Sequence, residues 1–188
     1  MMNKVKFNLK KVHYAKITEE SGNITFALPV PIPGAVNLSL SAVGETTPFY
    51  ADGMEYFTSV TNNGYEGDLE VALLPESFIT DILGETLSTT DKVLVENASV
   101  QVSPFALLFE FDGDVKATRH VLYNCIATRP TIESSTSAEN TEVKTDTLSL
   151  KAKPLPNGQV KAKTSGTTTS TVYDAWYTKV WEKDSGGI

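Results

Sequence analysis

The sequence predicts a mainly β domain with one short flanking helix, and three observations carry that reading. Threonine, valine, tyrosine and serine dominate the runs between turn signals, residue types that suit a pleated, half-buried surface. Only two stretches have any helical period. One of them closes the most telling segment, residues 63–84, where a two-faced strand runs straight into an amphipathic helix.

In chain order, Val5 to Leu9 and Tyr14 to Thr18 read as short strands, and Ser21-Gly22-Asn23 turns the chain into the next, Ile24 to Leu28. Pro29, Pro31 and Pro33 then interrupt pairing, because proline cannot donate a ladder hydrogen bond. Ala35 to Ala42 resumes with Val36, Leu38 and Leu40 on one face. Phe49-Tyr50-Ala51-Asp52-Gly53 ends in a turn, and Tyr56 to Thr61 is the following strand.

Asn63-Gly64 is a turn signal at the head of the telling segment. Beyond it, Tyr65, Leu69, Val71 and Leu73 point one way at period two while Glu66, Asp68 and Glu70 point the other, the pattern of a sheet with one dry and one wet surface. Alternate carboxylates on a strand lie roughly 7 Å apart, and in a water-like dielectric each repulsion costs only about 0.6 kcal/mol. A wet face tolerates that. Pro75 suits a first helical position, Phe78, Ile79, Ile82 and Leu83 form an apolar stripe, and Gly84 stands where a left-handed cap ends a helix over about residues 75–83.

Residues 85–103 form a long polar excursion with a small strand at Lys92 to Glu96, the kind of loop that serves function or interfaces. Phe105, Leu107, Phe109 and Phe111 share one strand face, Asp112-Gly113 is a two-residue hairpin turn, and the return strand runs from about Lys116 to Thr128. Arg129-Pro130 stops it. This hairpin is the expected centre of the core. Residues 131–142, rich in serine and threonine, read as a flexible arm or surface loop. In a second hairpin, Leu148, Leu150 and Ala152 face Val160 and Ala162, which leaves Lys151, Lys153, Lys161 and Lys163 clustered on the opposite face. That basic patch and the acidic row of Glu66, Asp68 and Glu70 are either two unrelated wet faces or surfaces of complementary sign through which copies of the chain meet. In the C-terminal segment, residues 171–188, the spacing of Val172, Trp176 and Val180 fits a helix and an alternating strand alike. A short helix is the expectation, with Trp176, Tyr177 and Trp181 packed into a core or a subunit contact.

At 188 residues the chain is long enough for one substantial core, and typical domain sizes favour a single domain over 1–188. The net charge of -7 argues against an affinity-driven nucleic-acid binder, which needs cations to displace counterions from phosphates. It leaves room for a protein that handles nucleic acid while not holding it. The lone cysteine, Cys125, lies in the apolar run Val121 to Ala127 and reads as a buried, inert thiol. The start, Met1 to Leu9, has no signal-peptide core, and no run approaches the roughly 20 apolar residues of a membrane span. Synthesis in the cytoplasm without a recognisable export signal is the expectation.

Catalytic and metal chemistry needs side chains converging from positioned elements, and few are available here. His13 and His120 lie in strand-like contexts and read as structural histidines. No P-loop, dinucleotide-binding glycine pattern, zinc spacing or nucleophile elbow is present. Asp112-Gly113-Asp114 lacks the remaining ligands of a calcium loop, and Asn97-Ala98-Ser99 matches a glycosylation acceptor that carries no weight without export. No catalytic residue, cofactor or metal is expected.

Several blocks in order resemble the major tail proteins, or tail tube proteins, of long-tailed non-contractile phages of Gram-positive bacteria. They are Leu9-Lys10-Lys11-Val12-His13-Tyr14-Ala15, Pro31-Ile32-Pro33-Gly34-Ala35-Val36, Phe49-Tyr50-Ala51-Asp52, the strand-helix segment 63–84, and Arg119-His120-Val121-Leu122-Tyr123-Asn124-Cys125 with Arg129-Pro130. The resemblance implies a β-sandwich, a tail-tube-like barrel fold with a flanking helix and long assembly loops, in a virion protein assembled within the host cytoplasm. It further implies hexameric rings stacked into a hollow conduit through which DNA leaves without specific binding. A tape measure protein, a tail terminator and distal tail or baseplate proteins are the implied partners, besides the chain itself. Glu66, Asp68 and Glu70 are then the candidate lumen wall, and Lys151, Lys153, Lys161 and Lys163 the candidate intersubunit patch. The amino-terminal segment, the Pro29 to Gly34 corner, residues 85–103 and the 131–142 arm are the expected intersubunit elements. The competing reading is a monomeric carbohydrate-binding or adhesion β-sandwich with Trp176, Tyr177 and Trp181 as its stacking surface; an acidic β enzyme is the third.

Overall fold

In a computed structural model that describes residues 3–20, 22–136 and 143–183, strand-forming runs dominate as the composition requires. In chain order the strands are β1 (Lys6–Glu20), β2 (Asn23–Phe26), β3 (Val30–Pro31), β4 (Ala35–Val43), β5 (Thr46–Ala51), β6 (Met54–Val60) and β7 (Gly64–Val71). After the helical segment come β8 (Thr86–Leu87), β9 (Leu94–Val95), β10 (Phe105–Gly113), β11 (Thr118–Ala127), β12 (Asp146–Ala152) and β13 (Lys161–Lys163). Helix α1 (Glu76–Phe78) runs into a π-helical turn over Ile79–Leu83, and α2 (Ser170–Asp174) runs into a 3-10 turn over Ala175–Tyr177.

The main sheet follows the order β2-β1-β10-β11-β12-β7-β4, with β13 added to β11 and β3 to β1. Its pairings are antiparallel. The fold is mainly β and sandwich-like, and the sheet curls without closing: β4 is not hydrogen-bonded to β1. Inside the curl, Val12, Tyr14, Leu69, Phe105, Leu107, Leu122 and Leu148 meet in one core. Phe78, Ile82 and Leu83 of the helical segment join that core. Each such side chain contributes roughly 1.5–3 kcal/mol by leaving water. On the outer face of β10 and β11, Ala106, Leu108, Val121 and Tyr123 form a second core with Trp176 and Val180. The β10–β11 pair is therefore covered on both sides, as expected of the centre of the fold.

The helical segment docks by ring contacts, Phe78 lying edge-on to Tyr14 at 5.1 Å and to Phe105 at 5.4 Å. The Tyr14 hydroxyl donates to Asp81 at 2.8 Å. Pro75 is the N-cap, one residue before the helix, and Gly84 ends it at φ 80 as the sequence suggests. A side chain at Gly84 would have its Cβ 2.5 Å from Val100, so the cap also fixes how closely residues 85–103 pack.

Several local expectations change. The two early strands are one, because Asn8 and Lys11 take left-handed φ values of 56 and 48 and absorb two register shifts against β10. Val30 and Pro31 still pair with β1, at an edge where the missing proline N–H costs nothing. Val36 lies beside a register shift and is exposed, while Leu38 and Leu40 face inward. Asn63-Gly64 is no turn: the β4–β7 ladder continues into the β5–β6 ladder through Asn63 N–H to Val43 C=O and Thr61 N–H to Glu45 C=O. Leu73 follows the end of β7 and is 72% exposed, its place in the core taken by Leu74. Asp112 and Gly113 stay in strand β10 because they pair with Phe7 and Lys6, so the β10–β11 turn falls on the four residues that follow.

The expected β12–β13 hairpin is overturned. Both strands pair with β11, β13 along its first half and β12 along its second. The free edge of β12 is taken by β7, so β13 finds the remaining edge of β11 instead. Leu148, Leu150 and Ala152 face the core as anticipated. The small strand expected at 92–96 is β9, paired with β8, and the C-terminal aromatic segment is helical. Ser21 of the expected turn, residues 137–142 of the arm and residues 184–188 of the C-terminal segment lie outside the described residues.

Candidate functional site

Strand β7 lies between β4 and β12, and its wet face is the middle column of a small polar grid. Asn37, Ser39 and Ser41 on β4 stand opposite Glu70, Asp68 and Glu66. Thr147, Ser149 and Lys151 on β12 stand opposite the same three carboxylates from the other side. Directly opposed residues of an antiparallel pair share a face. The dry side of β7 is held by Leu69 and Val71, both without exposure, which fixes the register and so the outward direction of the acids. Gly67 lets the strands close up: a Cβ there would sit 1.9 Å from the Ser39 carbonyl oxygen, and its φ of 154 disfavours a side chain.

The carboxylates are held by short neutral donors. The Ser149 hydroxyl donates to Asp68 at 2.7 Å and the Thr145 hydroxyl to Glu70 at 2.6 Å. Three carboxylates stand beside Lys151 on the grid and Lys153 in its groove, so this exposed surface keeps a net negative charge. It has a shallow groove toward β11, lined by Glu66, Asp68, Ile126, Ser149, Lys151 and Lys153.

The four lysines predicted as one patch are divided. Lys151 and Lys153 lie on the acidic grid and its groove. Lys161 pairs with Leu122 and Lys163 with His120, on the side of β11 that faces the inside of the curl. The Lys161 ammonium lies 4.2 Å from the Tyr65 ring centroid and donates to the Tyr65 hydroxyl. With β12 and β13 each paired to a different stretch of β11, the two sets lie apart among the described residues.

The inner lysines border a cavity of about 360 Å³ at the open seam, whose walls include Leu38, Leu40, Tyr65, Phe109, Phe111 and His120. His120 stacks on Phe109 with centroids 5.0 Å apart. Burial, and then the charges of Lys163, Lys161 and Lys6, push its pKa down to about 4, so it is neutral at pH 7. The His13 Nδ1–H donates to the Lys11 carbonyl at 2.9 Å, the ring packs on Tyr177, and burial lowers its pKa too. Cys125 is fully buried, which raises its thiol to about 12. Among the described residues, no group of three or more histidine, cysteine or acidic side chains could hold a metal ion. No described helix is long and apolar enough to cross a membrane.

The C-terminal aromatics serve the fold. Trp176 is 3% exposed, donates to the His120 carbonyl at 3.3 Å and stacks on Trp181. Tyr177 donates to the buried Glu110, which also binds Arg119 at 3.0 Å and Lys11 at 3.3 Å. The Arg119 guanidinium in turn donates to the Tyr173 carbonyl and covers the Tyr173 ring at 3.8 Å.

The sequence reading missed the exposure of the β5–β6 hairpin. Phe49, Tyr50, Met54, Tyr56, Phe57 and Val60 are each at least 59% exposed. The tip is the Asp52-Gly53 turn, both residues at positive φ. The usable signal was local: alternation fails here, with apolar side chains on both faces of both strands.

No protein-family model matches the chain, and no curated protein matches its sequence. Solved structures similar to it include two tube-end proteins. One is the cryo-EM structure of the anti-feeding prophage cap, the AFP tube terminating cap, 14% identical with a TM-score of 0.42 over 83% of this chain and 89% of that one. The other is the PVC sheath/tube terminator of an extracellular contractile injection system in its extended state, 11% identical with a TM-score of 0.37 over 82% of this chain and 93% of that one.

Proposed function

We propose that this chain is a structural virion protein, a tail subunit of the tail-tube type whose copies form stacked hexameric rings around a channel for DNA. The observation that carries the reading is the negative, exposed grid on β7 beside β4, a strand whose outer edge has no strand partner among the described residues. Bare edges invite pairing with another chain, and a ring of copies removes them. A wall of Glu66, Asp68 and Glu70 offers phosphates no counterion-releasing contact, so DNA passes without being held. The sequence resemblance to tail tube proteins supplies the ring and its stacking. In such a tail, a tape measure protein, a terminator and distal tail or baseplate proteins are the further partners.

The binding-module reading loses its platform, because Trp176 is buried and Tyr177 is engaged with Glu110. Light scattering across a concentration series separates the two readings. A tail subunit gives masses rising in steps of rings or polymers; a mass fixed at one chain at every concentration overturns it.

A further inference from the structure

The seam left by incomplete closure of the sheet is a receptor of definite chemistry. Two adjoining cavities, of about 360 and 410 Å³, run along it and share Lys6, Leu38 and Phe111 as lining residues. Leu38, Leu40, Phe109 and Phe111 supply the apolar part of the walls, alongside Ser39 and His120. The rim is cationic: Lys6 lies 5.4 Å from the Phe111 ring centroid and Lys161 lies over Tyr65. Lys163 adds its charge beside His120.

The β5–β6 hairpin has the complementary character. It carries Phe49, Tyr50, Met54, Tyr56 and Phe57 in the open, and its only charged residues are Asp52 and Glu55. It does not fill the seam of its own chain, since these side chains stand exposed. Asn63 N–H to Val43 C=O and Thr61 N–H to Glu45 C=O carry the β4–β7 ribbon across a one-residue register shift into β5–β6, whose tip at Asp52 can lie at most about 40 Å beyond Leu40 at roughly 3.3 Å per residue.

We propose that the hairpin of one copy seats in the β1–β4 seam of another, with aromatic side chains on the apolar floor and Asp52 and Glu55 against Lys6 and Lys161. The contact is heterologous, so each copy offers one hairpin and one seam and the chain of contacts propagates. Opposite charge fixes which end of the ribbon enters. This inference rests on the self-assembly reading above and names the contact that would carry it.

Charge exchange tests it. D52K/E55K and K6E/K161E are each prepared, together with the fourfold variant, and their folds are checked by far-UV circular dichroism before sedimentation velocity. Each double variant is expected to lose self-association at least tenfold, while the fourfold variant, and an equimolar mixture of the two doubles, regain it. Double variants that associate as the wild type does overturn the hairpin contact and leave the tail-subunit reading standing, the seam then belonging to another occupant. A fourfold variant no better than either double also overturns it. Wild-type protein that stays monomeric at every concentration removes both.

Discussion

Glu66 on β7 and Lys151 on β12 stand directly opposite each other on the wet face of the sheet. One end of the acidic row therefore faces an ammonium within the chain, while Asp68 and Glu70 accept hydrogen bonds from the Ser149 and Thr145 hydroxyls. The negative field is strongest at the Asp68–Glu70 end, and Lys151 sets its boundary.

That opposition predicts a coupling. E66K places two ammonium groups face to face and should cost about 0.2–1 kcal/mol, and K151E in the same chain should recover most of it. Urea denaturation of the two single variants and the double closes the cycle; strictly additive losses would mean that the pair does not interact.

The triple variant E66K/D68K/E70K should keep its β content, because the substituted residues are on the wet face and Leu69 and Val71 still define the register. In virions it should slow DNA ejection, since each added lysine is a new phosphate contact. Ejection kinetics equal to those of the parent, from particles of normal length, would take these residues off the lumen wall.

Glu110 should be the residue that holds the C-terminal helix down. It is 3% exposed and bound by Arg119, Lys11 and Tyr177, so E110A leaves the half-buried Arg119 without its counter-charge, at a cost of about 3–5 kcal/mol. The chain has only two tryptophans, Trp176 and Trp181, both in the segment this network anchors. Undocking therefore reads out directly as a red shift of tryptophan emission, and an unshifted spectrum in E110A would contradict the assignment.

Stability should fall as pH is lowered from about 6.5 toward 4. His120 has a folded pKa near 4 and His13 one below 6.5, so in that window the unfolded chain binds more protons than the folded one. The contribution is complete above pH 6.5 and lost on descending to the folded pKa. H120F keeps the stack on Phe109 and should flatten the dependence of the urea midpoint on pH; an unchanged slope would assign the effect elsewhere.

How much of this was legible depends on range. Dry and wet faces of β7 follow from alternation within one strand, and Gly84 and the apolar stripe before it define a helix from neighbouring residues alone, so both could be read. The partner of β13 could not, because its place is decided by β7 having already taken the edge of β12. That single non-local fact separates Lys161 and Lys163 from Lys151 and Lys153. The hairpin was hidden differently: Phe49, Tyr56 and Phe57 look like core residues, and only the ladder that carries them away from both cores shows that they are exposed.

Electron microscopy of the purified protein in negative stain tests the central claim most directly. The account predicts rings or hollow filaments of regular width, with a bore that a cationic label enters and that the triple-lysine variant closes to it. Fields of isolated particles of single-chain size, at high concentration and in the presence of tail tips, would contradict it.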